Sequence, residues 1–130
     1  MNKSAATKKI LIAEDEPNIV ISLEFLLKEA GYDVAIARDG AQALSLAGAL
    51  QPDLIVLDVM LPALNGFDVC RRIRGSREGK DTKVLMLTAR GRDSEVARGL
   101  AAGADAYMTK PFATRELVKV VADLLRKSSE

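Results

Sequence analysis

The sequence predicts a three-layer α/β fold built on a five-stranded parallel sheet, and three observations carry that prediction. Short apolar runs alternate five times with longer amphipathic segments, the pattern of consecutive βα units. The short runs are almost continuously apolar instead of alternating, as expected of strands covered on both faces. The chain has 130 residues, of which 48% are hydrophobic, enough for one domain with a substantial core.

The five runs are Ile10–Ala13, Val34–Ala37, Leu54–Leu57, Val84–Leu87 and Ala106–Met108, the last brief and only modestly strand-like. The first helix is predicted to start near Pro17, because a helix's first residue needs no N–H partner. It turns Ile19, Leu23, Leu26 and Leu27 inward and ends at Gly31, a natural stop. The second runs from about Ala41 to Leu50 and halts before Pro52. The third, about Gly66 to Arg74, turns Phe67, Cys70 and Ile73 to one side, and the fourth spans about Asp93 to Ala102. The fifth, about Thr114 to Arg126, places Leu117, Val120, Val121, Leu124 and Leu125 on a single stripe. Residues 1–7 and 128–130 read as polar tails around one domain spanning 8–127.

Composition removes whole classes of chemistry. Nineteen basic and eighteen acidic residues give a net charge of +1, too little for a whole-molecule field toward nucleic acid or an anionic membrane. The chain has no His, so Ser-His-Asp and Cys-His catalysis, His-containing zinc sites and a phosphohistidine on this chain are all excluded. Cys70 is the single cysteine; it permits no internal disulfide and reads as a small core residue. No apolar stretch near the N-terminus is long enough for a signal peptide or a membrane span, so the expected compartment is the cytoplasm.

Ligands of an open parallel α/β sheet bind beyond the carboxyl ends of its strands. Glu14 and Asp15 follow the first run, Asp58 the third, Thr88 and Ala89 the fourth, and Lys110 then Pro111 the fifth. Each alone has an ordinary explanation. Glu14 and Asp15 suit a helix N-terminus, Asp58 a turn, Thr88 a strand end and Lys110 a solvated surface. Together at one rim they point elsewhere. Crowded carboxylates repel, and a hard divalent cation such as Mg²⁺ relieves that repulsion. Carboxylates, Mg²⁺, a lysine and a hydroxyl are the equipment of phosphoryl transfer, with Asp58 the best-placed nucleophile.

Four motifs carry a resemblance: ILIAEDEP around Glu14 and Asp15, LIVLDVMLPALNGFDVCRRIR around Asp58, VLMLTAR around Thr88, and GADAYMTKPF around Tyr107 and Lys110. In that order and spacing the chain resembles the receiver domain of bacterial two-component response regulators over about Lys8 to Lys127. The resemblance implies a doubly wound, flavodoxin-like sheet of order 2-1-3-4-5. It implies that Asp58 accepts the phosphoryl group. Glu14, Asp15, Asp58 and the backbone carbonyl of Met60 would hold Mg²⁺, with Mn²⁺ as a substitute. Many members have Asp-Asp where this chain has Glu-Asp. Thr88, Ala89 and Lys110 would bind the phosphoryl oxygens, and the Lys110–Pro111 peptide would be cis. Thr88 and Tyr107 would form the switch, the ring moving inward as the hydroxyl turns to the phosphoryl group, and the surface of the last strand and its flanking helices would change.

Side chains two positions after Asp58 and Thr88, here Met60 and Arg90, modulate water's access to the acyl phosphate in this family. Met60 orients no water and Arg90 only donates, so slow self-dephosphorylation is expected. The partner implied is a sensor histidine kinase or phosphotransfer protein, with catalysis limited to the chain's own phosphorylation and dephosphorylation. MLTAR also resembles receivers fused to winged-helix DNA-binding modules, so a stand-alone receiver and a fragment of a longer regulator both fit. No nucleic acid or membrane is expected to bind this chain itself, and a dimer formed on phosphorylation stays open. An interaction-only receiver is disfavoured by the complete acidic set. A phosphatase would need a second Asp where Met60 stands, and a nucleotide-binding domain would need glycines where Glu-Asp-Glu-Pro stands.

Overall fold

The computed structural model describes residues 7–77, 79–89 and 93–128. Its elements are β1 (Lys9–Ala13), α1 (Pro17–Glu29), β2 (Asp33–Ala37), α2 (Gly40–Leu50), β3 (Leu54–Asp58), α3 (Gly66–Gly75), β4 (Lys83–Thr88), α4 (Asp93–Ala102), β5 (Ala106–Thr109) and α5 (Thr114–Ser128). All strand pairs are parallel, in the order β2-β1-β3-β4-β5. This is the doubly wound, flavodoxin-like sheet. The chain reverses its winding direction after β2, so β1 and β3 lie side by side and their carboxyl ends open a crevice.

Two apolar layers hold the helices to the sheet. Ile10, Ile12, Leu54, Val56, Leu85 and Leu87 face α1 and α5 and meet Leu23, Leu27, Leu117 and Val121. The alternate strand residues, among them Leu11, Ile55, Val84 and Met86, face α2, α3 and α4 and meet Ala43, Phe67, Cys70 and Ala102. Each strand thus buries both faces, except at the edges: in β2, Val34, Ala35 and Ile36 are only half-buried because β2 has a neighbour on one side.

Local sequence sets the helix ends. Pro17 opens α1, and Gly31, at φ +97°, closes it; its N–H donates to Lys28 O while that of Tyr32 donates to Leu27 O. Asp39 and Asn65 cap α2 and α3 by accepting from the amides of Gln42 and Asp68. Two expectations need correction. The inward stripe of α1 is Val20, Leu23 and Leu27, with Ile19 and Leu26 only half-buried. The helix is apolar around most of its girth, so its own sequence does not fix its rotation. The other concerns α5, which continues to Ser128 because Lys127 and Ser128 include no helix-breaking residue.

Candidate functional site

Strand register alone brings the polar residues together. Ala13 pairs with Leu57, so Glu14 and Asp58 leave neighbouring strands side by side at the crevice. Asp58 pairs with Leu87, which puts Thr88 one residue beyond it, and Thr88 pairs with Thr109, which delivers Lys110 to the same rim. The Lys110 N–H donates to Thr88 O at 2.7 Å, and the Lys110–Pro111 peptide bond is cis.

Glu14, Asp15 and Asp58 each present a carboxylate oxygen within 4.8 Å of the others. Glu14 is 1% exposed and Asp58 4%, whereas Asp15 is open to solvent. The amide of Glu16 donates to Glu14 Oε2, and that of Met60 donates to Asp58 Oδ1 at 3.2 Å. Glu14 therefore folds back into the crevice and does not cap α1, whose N-cap residue Glu16 makes no side-chain cap bond. Lys110 Nζ stands 2.9 Å from Glu14 Oε1 and 3.3 Å from Asp58 Oδ1, on a side chain 18% exposed.

The electrostatics are unbalanced. Burial pushes the Glu14 carboxyl above its ordinary value; the Asp58 charge adds to this, and Lys110 and the Glu16 amide oppose it. Burial alone would lower the Lys110 ammonium, but Glu14 and Asp58 outweigh it and the net direction is upward. One ammonium pairs with two of three clustered carboxylates. Glu14 Oε1 is met by Lys110 Nζ alone, the one buried side-chain oxygen among the described residues with no hydrogen-bond donor besides its ion-pair partner. A buried oxygen with spare lone pairs beside two further carboxylates is a donor set that a hard divalent cation takes. The residues fit Mg²⁺.

Thr88 is fully buried at the end of β4, Ala89 is exposed just beyond it, and Met60 is 71% exposed beside Asp58. Arg90 lies outside the described residues. Tyr107 is half-buried and lines a groove of about 520 Å³ with Val96, Thr109, Phe112 and Glu116, between α4 and α5. Cys70 is buried, its thiol donating to Ala102 O, remote from the rim chemistry.

Sequence reasoning missed Gly66. A Cβ there would lie 2.5 Å from Asp58 O and 2.8 Å from Val59 Cα, so only glycine lets α3 start against the strand that carries Asp58. The Asn-Gly pair before an amphipathic run was the available signal, and it reads as a helix start without showing what lies opposite.

Comparison with known proteins agrees with this geometry. Residues 10–122 match the response regulator receiver domain family. The chain is 48% identical over 121 residues to the alkaline phosphatase synthesis transcriptional regulatory protein PhoP of Bacillus subtilis, covering 93% of this chain and 50% of that protein. It is 47% identical over 120 residues to the DNA-binding dual master transcriptional regulator RpaA of Synechocystis, covering 92% and 50%. The chain thus spans about half the length of these curated relatives. Among solved structures, the receiver domain of sensor histidine kinase PA1611 from Pseudomonas aeruginosa, with a magnesium ion in its active site cleft, is 32% identical at a TM-score of 0.86, covering 92% of this chain and 98% of that one. The chemotaxis response regulator CheY4 of Vibrio cholerae is 32% identical at a TM-score of 0.87, covering 92% and 99%. The chain belongs to the receiver-domain family of two-component response regulators.

Proposed function

We propose that this chain is a phosphoaccepting switch, carried by residues 8–127, in which Asp58 takes a phosphoryl group from a phosphohistidine on a sensor kinase or phosphotransfer protein. The observation that carries this reading is the convergence of three carboxylate oxygens within 4.8 Å, with Lys110 Nζ 3.3 Å from Asp58 Oδ1. In the transfer an Asp58 carboxylate oxygen bonds to phosphorus as the phosphorus–nitrogen bond of the donor breaks, and the imidazole leaves. Glu14, Asp15, Asp58 and the Met60 carbonyl would hold Mg²⁺, or Mn²⁺ in its place. Bound there, the ion neutralises charge on the phosphoryl oxygens and the carboxylates. Lys110 holds one side of the incoming group as a fixed cation, and the backbone at Ala89 together with the Thr88 hydroxyl offers hydrogen-bond donors on another.

The switch follows from the same parts. A phosphoryl group adds charge and strong acceptors at the end of β3. Thr88 turns its hydroxyl toward it, and Tyr107 moves inward, repacking the α4–β5–α5 face. Met60 and Arg90 offer no side chain that would activate a water against the acyl phosphate, so the phosphorylated state is long-lived. Output passes to a partner protein or attached domain in the cytoplasm, in keeping with the DNA-binding relatives. No described helix is long and apolar enough to cross a membrane.

Incubation with acetyl phosphate tests the reading. The native chain is expected to incorporate phosphate in Mg²⁺ and not in chelator, and Asp58→Asn to incorporate none. Undiminished incorporation by Asp58→Asn refutes the assignment.

A further inference from the structure

Gly99 sits in the middle of α4 and is buried, a costly place for the residue with the lowest helix propensity after proline. The structure supplies a reason. A Cβ at Gly99 would come within 3.1 Å of Tyr107 Cζ and of Met86 Sδ, and would overlap Tyr107 Cε2 outright. Met86 and Tyr107 are register partners on β4 and β5, so their side chains stand together on the sheet face that α4 covers. The ring edge occupies the space where any other residue at 99 would place its first carbon.

We propose that Gly99 is the positioning residue for Tyr107: the missing side chain forms the seat on α4 that admits the ring, and thereby sets how the ring divides between its two positions. The seat is an observation on the unmodified fold. Its consequence for signalling rests on the Thr88/Tyr107 reading above. Of the groups a new methyl would meet, the ring makes by far the closer approach and is the less enclosed, half-buried at the rim of the α4–α5 groove, whereas Met86 is fully buried. Thr88 lies two residues beyond Met86 on the same face of β4, so a displaced ring bears on the residue that would answer to phosphorylation.

The chain has two tyrosines and no tryptophan, so a Tyr32→Phe protein grown on 3-fluorotyrosine carries one ¹⁹F reporter, at Tyr107. In that background Gly99→Ala is expected to move the ¹⁹F resonance by more than its linewidth and to change the apparent affinity for beryllofluoride with Mg²⁺ at least threefold. A double-mutant cycle with Tyr107→Ala separates this from helix propensity. With the ring removed, Met86 gains the room to shift by the few tenths of an ångström its own contact needs, so Gly99→Ala should raise Tm by roughly 3–6 °C, as alanine's better propensity requires, and leave beryllofluoride affinity unchanged. With the ring present, that gain should disappear. An unmoved resonance, or the same Tm gain in both backgrounds, overturns the proposal. If no variant binds beryllofluoride, the phosphoacceptor reading fails on its own, while the resonance and the Tm cycle still decide whether the seat exists.

Discussion

Neutralising Asp58 should stabilise the protein in the absence of divalent cations, although it removes a buried ion pair. Asp58→Asn keeps the shape of the side chain and the acceptor for the Met60 amide. Two Coulomb effects then nearly cancel. With an effective dielectric of about 20, Lys110 at 3.3 Å attracts the carboxylate by about 5 kcal/mol. Glu14, no farther than 4.8 Å, repels it by about 3.5 kcal/mol or more, and exposed Asp15 adds a smaller, screened repulsion. What remains is the desolvation cost of a carboxylate only 4% exposed, several kcal/mol in magnitude, which the neutral amide avoids in large part. The expected net gain is about 1–2 kcal/mol, a Tm rise of roughly 3–8 °C in chelator. Saturating Mg²⁺ should stabilise the native chain, as any ligand of the folded state does, and leave Asp58→Asn almost unmoved. Calorimetric scans of both proteins in chelator and in Mg²⁺ read all four values. A variant less stable than the native chain in chelator would refute the argument that the crevice holds uncompensated negative charge.

Three further outcomes follow from other contacts. Divalent affinity should fall as pH is lowered, because protons compete for the carboxylates. Since burial raises Glu14, the fall should begin above the pH at which a free glutamate would cause it, which a titration of Mg²⁺ affinity against pH checks. Arg74→Ala should cost about 2–4 kcal/mol in urea unfolding. Its guanidinium bonds Gly103 O, Gly79 O and Thr82 O and pairs with Asp105, tying α3 to the loops before β4 and β5. Cys70 should resist thiol reagents until the chain unfolds, because burial encloses the sulfur and pushes its thiol up, away from the reactive thiolate.

How much of this was legible in the sequence varies by residue. The strands were, because Leu54–Leu57 and Val84–Leu87 have nothing to do but be covered twice. The rim residues were too, since each stands within two positions of the end of such a run. Their adjacency was not: that Glu14 and Asp58 share a crevice depends on β1 lying beside β3, and no local pattern states strand order. The resemblance supplied it. The rotation of α1 was ambiguous because Ile19, Val20, Ile21, Phe25 and Leu26 spread apolar surface around the helix, and docking on the sheet chose Val20. Arg74 reads as a surface charge and Gly99 as a flaw in a helix. Both acquire meaning only from partners that tertiary packing brings close, Asp105 for one, 31 residues on, and Tyr107 for the other.

If Asp58 is the phosphoacceptor, phosphoryl groups reach the chain at one carboxylate, and reductive trapping identifies that carboxylate by residue. Borohydride converts an aspartyl phosphate to homoserine, so the chain treated with acetyl phosphate and Mg²⁺, reduced and mapped by tandem mass spectrometry, should carry homoserine at position 58 and nowhere else. Homoserine at another aspartate, with Asp58 intact, would refute Asp58 as the phosphoacceptor.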